Sequence, residues 1–342
     1  MTKAVQNYLK HLLQSSALYT LTELDQKQFE KIGVESFIFA KLSSKKFRKT
    51  KMDEHCIDRT QKAIHTKVKA NQPISVVFPQ GGYKLWRFPS SPTVDFAEFF
   101  NISYVLSYIA PIAAVYKPGV HLTYYMHTLL MELHDNLTIE EIQAYVDSFE
   151  QLLDEFRKHL PPNVKISILR DADLYTRKEY FEALEAGTQK AKEAYVQFTP
   201  EKKEYFARMS RLNIKWDGKE NWTKLSDKEK DEKIYLAAIY EMSAVNELKK
   251  VAQTVKSSDN ILVFTKGTPD FIGIGSTRAS SAKYWVGFGV LVQKGDSLLP
   301  IVLTPSQYES VTKKPYQTVE VNVLPGANFK QILFFDQPFS FS

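Results

Sequence analysis

The residues best suited to chemistry lie between positions 78 and 135, in FPQGGYKLWRFPSSPTVDFAEFF and then YKPGVHLTYYMH. A run ending at Phe78 reads as a strand, a Gly81-Gly82 turn then displays Lys84 and Arg87, and a helix opens near Asp95. A second strand-like run, Val120–Tyr125, leads to His127 and Thr128. In a parallel α/β sheet, ligands bind beyond the carboxyl ends of the strands, so both strand ends should border one crevice. Lys and Arg in that place suit an anionic substrate, phosphate or carboxylate. Asp95 and Glu98 have capping-box spacing, and spacing alone leaves Asp95 open between capping a helix and catalysis or ligand binding. His127 stands where a reacting group would be displayed, and an imidazole with an ordinary pKa of about 6.5 exchanges protons near neutrality. The alternative for it is a hydrogen-bonded core histidine.

Other chemistries find less support. If HLTYYMH is a strand, His121 and His127 share a face but stand six residues apart, roughly 20 Å at about 3.3 Å per residue, so they cannot hold one ion. No HExxH, CxxC or His-x-His pairing occurs, nor a Walker loop or GxSxG, and neither metal nor organic cofactor is expected. Cys56, the single cysteine, sits between His55 and Ile57 in a helix-like segment, where adjacent side chains do not face each other. Gly273-x-Gly275 followed by Ser276 is too small a turn to count as a nucleotide fingerprint.

The elements that must position these groups follow from the pattern of the 342 residues. With 44% hydrophobic, 25% charged and 13% aromatic residues, the chain has the composition of a globular protein and not of a collagenous, wholly disordered or disulfide-stapled one. Strand-like Ile74–Phe78, Val120–Tyr125 and Val164–Leu169 alternate with helical segments, which predicts an α/β fold with a Rossmann-like parallel or mixed sheet and flanking helices. Glycines crowd the chain beyond 260, where Ile261–Phe264, Phe271–Ile274, Tyr284–Val292, Pro300–Leu303, Thr318–Val323 and Gln331–Phe335 read as a β-rich, antiparallel section. The division expected is a helical and basic segment over 1–72, an α/β core over 73–260 with a helical insertion near 199–225, and a β-rich section over 261–342 completing the same domain. Thr138 with Glu141, and Ser226 with Glu229, mark two helix starts by capping-box spacing. Their apolar stripes are core.

The formal charge of +6 comes from one acid-free stretch, Lys41–Lys51, and the remainder balances. A nucleic-acid binder spreads its cations along a face, so this run is expected to be a solvated loop or an anion-facing one, with no nucleic-acid partner. The longest apolar stretches, such as Ile109–Tyr116, are shorter than the roughly 20 residues that span a bilayer, and no membrane partner is expected. The lone cysteine and the absence of a signal-like N-terminus point to the cytoplasm.

The order of short motifs, Phe78-Pro79, a basic loop, Asp95 with Ala97-Glu98, then Tyr116 and Pro118-Gly119, with Arg278 and Ser280 later, resembles the pyoverdine/dityrosine biosynthesis family, the isocyanide synthases. The resemblance runs from about Phe37 to Val323. It implies an enzyme that joins the nitrogen of an amino acid or small amine to a carbon of a phosphorylated sugar such as ribulose 5-phosphate, without metal or organic cofactor, in secondary metabolism. On that footing Lys84, Arg87 and Arg278 would receive the phosphate, His127 or Glu98 would move protons, and Tyr125 with Trp86 would wall the side chain of the amine substrate. Asp95, Thr128, Ser280 and Gln317 complete the substrate-binding set that the resemblance implies. The sequence departs from the family at its polar motifs. Met126-His127-Thr128 replaces Ser-Asp-Gly, Ala282 replaces the His of Arg-x-Ser-x-His, and Pro315-Tyr316-Gln317 replaces Pro-Trp-His. A divergent small-molecule binding protein that keeps the pocket without the reaction is the competing reading.

Overall fold

The computed structural model describes residues 2–80, 93–135, 137–204, 225–246, 248–265, 270–277 and 287–338. Three helices come first, α1 (Thr2–Ser15), α2 (Glu23–Leu42) and α3 (Glu54–Lys69). Thr22 and Asp25 close a capping box at the start of α2, and the Asp53 side chain caps α3 through the Cys56 amide. The basic run then straps this helical segment to the sheet. Lys41 is ion-paired with Asp25, Arg48 bridges Ile274, and the Lys49 amide donates to the Gly273 carbonyl.

The alternation expected after residue 73 is present as β1 (Ile74–Gln80), α4 (Phe96–Val115), β2 (Val120–Met126), α5 (Thr128–Asp135), α6 (Ile139–Arg157) and β3 (Val164–Arg170). A short α7 (Asp171–Leu174), then α8 (Arg177–Val196), α9 (Asp227–Asn246) and α10 (Lys249–Thr254), lead to β4 (Asn260–Phe264) and β5 (Ile272–Gly273). The five strands form a parallel sheet in the order β3-β2-β1-β4-β5. The chain leaves β1 towards β2 and β3 on one side and later returns to β4 on the other, so the strand order switches between β1 and β4. Side chains alternate across the sheet. Val76, Phe78, Leu122 and Tyr124 join the core under α4 and α6, while Val77, Tyr125 and Leu262 pack with Tyr175, Tyr180 and Leu184 on the other face.

The last strands are β6 (Phe288–Lys294), β7 (Ser297–Leu303), β8 (Gln317–Glu320) and β9 (Gln331–Phe335), with α11 (Pro305–Val311) between β7 and β8. They make a separate sheet in the order β7-β6-β9-β8. Two of its pairings are antiparallel as expected, but β6 and β9 run parallel, so the sheet is mixed. The change of class is also later than the glycine distribution suggested, because β4 and β5 complete the parallel sheet.

Helix α4 lies between the two sheets and is apolar around most of its circumference, as a helix with most of its surface covered must be. It is the one described helix long and apolar enough to cross a membrane, and it is mostly buried in the core. Strand β6 approaches its start so closely that a Cβ on Gly289 would meet the backbone of Phe96 and Ala97 at 2.2 and 2.3 Å. The YKPG turn after α4 has a structural reason as well. Gly119 has φ +75°, and a Cβ there would lie 1.8 Å from the Asn163 carbonyl oxygen, so only glycine fits between α4 and β2.

Candidate functional site

The carboxyl edge of the parallel sheet gathers two polar groups of opposite character, one on each face. Beneath α4 and α6, the Gln80 Nε2 donates to the Tyr145 hydroxyl at 2.9 Å, and that hydroxyl donates to Glu98 Oε1 at 3.0 Å. Glu98 Oε2 accepts the Asp95 amide at 2.9 Å, and Asp95 Oδ1 accepts the Ala97 amide at 2.6 Å. The capping box read from the spacing is therefore formed, with Asp95 as the cap of α4. Gln80 and Glu98 are wholly buried. Burial, followed by the adjacent Glu98 carboxyl, drives the Tyr145 pKa well above the ordinary phenol value and keeps its hydroxyl protonated. The relay leaves one loose end, since Gln80 Oε1 is buried without a hydrogen-bond partner.

On the opposite face, His127 follows the last residue of β2. Its amide reaches the Gln80 carbonyl at 3.4 Å, and its carbonyl accepts the Met131 amide at 3.0 Å as the first turn of α5 closes. Its ring packs edge-on against Tyr125 with centroids 4.7 Å apart. His127 keeps a little solvent-accessible surface, yet its Nδ1 is shielded and has no partner, and the buried Tyr125 hydroxyl has none either. Burial, and then the positive charge of Lys256, press the His127 pKa down to about 4. The imidazole is thus a neutral acceptor at physiological pH, which corrects the expectation of a group titrating near 6.5. Burial and the negative environment of Asp171 push Tyr125 above the ordinary phenol range. Beyond the end of β4, Thr265 Oγ1 is also buried and unpartnered.

Asp171 holds this second group in place. It is wholly buried at the carboxyl end of β3 and accepts the Thr128 hydroxyl at 2.6 Å and the Leu129, Ala172 and Leu130 amides at 2.8, 2.9 and 3.4 Å. It satisfies the N-terminal amides of α5, which have no helical acceptor of their own. Burial lifts its pKa to about 6, against the pull of those four bonds. Thr128, expected to touch substrate, is bonded to Asp171 and so helps orient the residue before it.

Of the residues singled out in the sequence, the structure brings His127, Tyr125 and Thr128 together on one face of the sheet edge, and Glu98 and Asp95 on the other. Glu98 and His127 are therefore divided by the sheet, and Glu98 holds a helix start and Tyr145. Gln317 is exposed at the start of β8, on the second sheet. Lys84, Trp86, Arg87, Arg278, Ser280 and Ala282 lie outside the described residues, as does most of the insertion near 199–225. His121 belongs to neither group, since its Nε2 is engaged with Ser167 Oγ at 2.8 Å. Among the described residues no three His, Cys, Asp or Glu side chains are grouped to hold a metal ion.

Sequence reasoning missed Gln80, Tyr145, Asp171 and Thr265. For three of them a signal existed, because Gln80, Asp171 and Thr265 end or directly follow strands of a parallel sheet, where function concentrates.

No protein-family profile matches the chain, and neither does any curated protein sequence. Its fold is similar to that of the PvcA protein from Pseudomonas aeruginosa, known from a crystal structure, with a TM-score of 0.69 and 15% sequence identity over 89% of this chain and 100% of that one. At that identity the likeness is one of fold.

Proposed function

We propose that the chain is an isocyanide synthase-like enzyme that joins the nitrogen of an amino acid or small amine to a carbon of a phosphorylated sugar such as ribulose 5-phosphate, in the crevice at the carboxyl edge of the parallel sheet. One observation carries the reading. Three buried polar atoms without hydrogen-bond partners, Tyr125 Oη, His127 Nδ1 and Thr265 Oγ1, occur at the carboxyl ends of β2 and β4, on either side of the switch in strand order. Buried polar atoms are nearly always paired in folded proteins, so a set left open at this edge is best explained by a ligand that completes it. The order of motifs shared with the isocyanide synthases and the fold shared with PvcA support the same reading.

In its opening step the amine attacks a ketone carbonyl, a carbon–nitrogen bond forms, and loss of one water gives an imine. His127, neutral above about pH 4, relays the protons released by the attacking nitrogen to the carbonyl oxygen, which leaves as water. The Tyr125 hydroxyl, protonated throughout the physiological range, donates a hydrogen bond to the carbonyl oxygen as negative charge develops on it. Lys84, Arg87 and Arg278 receive the phosphate, and Asp171 with Thr128 keeps the histidine in register. Incubating the purified protein with ribulose 5-phosphate and each common amino acid, followed by mass spectrometry, tests this directly. A covalent product of both substrates supports the proposal. Absence of any product across the panel, with binding of an amine substrate retained, favours a divergent binding protein, a reading to which the replacement of the family's Ser-Asp-Gly by Met126-His127-Thr128 lends weight.

A further inference from the structure

Strands β2 and β3 are paired in parallel, with Met126 opposite Arg170, so His127 and Asp171 leave the sheet side by side. The next turn of each chain segment is a helix start, α5 after His127 and α7 at Asp171. Three donors at the start of α5, the Thr128 hydroxyl and the Leu129 and Leu130 amides, are all bonded to the one carboxylate of Asp171. The Met131 amide is the first to close on the helix's own backbone, at the His127 carbonyl. With eight residues, α5 is shorter than the roughly 12 at which a helix begins to hold itself, so its start depends on that carboxylate.

The bonds require the ionised form. Oδ1 accepts from Thr128, Leu129 and Ala172, and Oδ2 from Leu130. A protonated carboxyl carries an O–H donor, which on Oδ2 would face the Leu130 amide and on Oδ1 would face three donors. The bonds that remained would lose the charge that makes them about twice as strong as neutral ones. His127 follows this joint closely. Its Nδ1 makes no hydrogen bond, so the ring is placed by its packing on Tyr125 and by the backbone that enters α5.

We infer that Asp171 is the positioning residue of His127 and acts only as a carboxylate, so that uptake of one proton by Asp171 loosens the start of α5 and displaces the histidine. The consequence for turnover rests on the role proposed for His127, and the structural link does not. Burial, which lifts the Asp171 pKa to about 6, sets the pH at which the link acts. Around the joint stand Arg170, bonded to Asp173 at 2.6 Å, and Glu132 of α5, paired with Arg177 of α8 at 2.5 Å. The Tyr125 hydroxyl, with those of Tyr175 and Tyr180 beside it, faces Asp171 from β2, and Lys256 acts on His127 from beyond α10. Bonding to Asp173 raises the Arg170 pKa, and against the upward pull of burial the same bonds lower that of Asp173, so this pair stays charged between pH 5 and pH 7. Burial keeps Tyr125 protonated, and His127 stays neutral over that range. Protonation of Asp171 also relieves the cost of a buried charge, so the loosening is local and the chain as a whole is not weakened by it.

Hydrogen–deuterium exchange of the full chain, read by mass spectrometry at pH 7, 6 and 5 and corrected for the intrinsic rate, tests the link without a substrate. A peptide spanning the start of α5 should lose protection by about tenfold or more from pH 7 to pH 5, with its midpoint at about 6, while peptides over β1 do not change. Asp171→Asn keeps the shape without the charge, and it should show the low protection already at pH 7 and no further change at pH 5. Thr128→Val removes a bond that favours the ionised form, so its transition should move to higher pH. Protection at the start of α5 that is independent of pH in the parent, or a pH response that survives in Asp171→Asn, would overturn the inference. The parent profile decides even where a variant does not fold. With a substrate in hand, kcat should fall on the acid side at about pH 6 with KM little changed, and Asp171→Asn should show a lower kcat without that fall. An acid limb at about pH 4, the pKa of His127 itself, would overturn the positioning role. No product from any substrate pair would defeat the proposed function instead, and the exchange profile would then decide this inference alone.

Discussion

Two polar groups on the two faces of one sheet edge are built from similar residues and differ in how completely they are paired. Under α4 and α6, tyrosine, glutamine and glutamate form a relay whose hydroxyl and carboxylate oxygens have partners inside the protein. Across the sheet, Tyr125 is just as enclosed and His127 is partly buried, yet the Tyr125 hydroxyl and His127 Nδ1 face no hydrogen-bond partner. A buried network with a single open atom, here Gln80 Oε1, stabilises and specifies the fold through the bonds it does make, while a pair of open groups lowers stability unless something outside the chain completes it. Under the proposed function the first face carries structure and the second chemistry, and each half of that proposal can be broken separately.

The largest expected effect falls on turnover. His127→Asn keeps approximate size and removes the basic nitrogen, so with any substrate found for the proposed reaction it should lose a factor of about 10²–10⁴ in kcat while its melting temperature stays near that of the parent. Nearly full turnover in this variant would remove histidine from the chemistry. Next comes the opposite face, where Tyr145→Phe deletes the hydroxyl between Gln80 and Glu98. A buried carboxylate oxygen and a buried amide then lose their partner, and urea denaturation should show about 2–3 kcal/mol of lost stability. A loss below about 0.5 kcal/mol would mean that the relay is not a stabilising network.

How much of this contrast was legible depended on how locally each part is encoded. β1, β2 and β3 are short runs rich in β-branched and aromatic residues and bounded by turn residues, and the Asp95–Glu98 box is read from a spacing of three. His127 could be singled out because a strand end announces itself. Tyr145 could not, since in the stripe Ile142, Tyr145, Phe149 and Leu152 a core tyrosine has the same period as its neighbours, and its hydroxyl partners are 47 and 65 residues away. Asp171 bonds backbone amides more than 40 positions upstream, which no local pattern records. The two-residue β5 reads like a hairpin strand, and the parallel pairing of β6 with β9 is likewise a matter of tertiary contact.

Acid pH separates His127 from Asp171 with opposite signs. The folded-state pKa of His127, about 4, lies below its ordinary 6.5, so the folded state is favoured by neutral histidine and this contribution is lost as pH falls from about 6.5 to 4. That of Asp171, about 6, lies above its ordinary 3.8, so its contribution is present at low pH and is lost as pH rises through about 6. The two nearly offset each other in the parent. Between pH 7 and pH 5, His127→Asn should therefore gain roughly 2 kcal/mol relative to the parent, and Asp171→Asn should lose a similar amount on top of its constant cost. Parallel denaturation curves for parent and variants at both pH values would contradict the burial assigned to these groups.

The smallest expected effect is also the most direct test of the contrast between the faces. Tyr125→Phe makes the same chemical change as Tyr145→Phe, removal of one buried hydroxyl, at a position where that hydroxyl has no partner. Taking an oxygen from an unsatisfied site leaves nothing else unpaired and relieves a desolvation penalty, so stability should stay within about 0.5 kcal/mol of the parent or rise. The ring remains, and with it the packing on His127. Under the proposed reaction the variant should lose kcat because the carbonyl oxygen loses a donor, which separates stability from turnover at a single atom. If Tyr125→Phe instead destabilised the chain as much as Tyr145→Phe, the Tyr125 hydroxyl would have a partner in the protein after all, and the division of the sheet edge into a structural and a chemical face would fail.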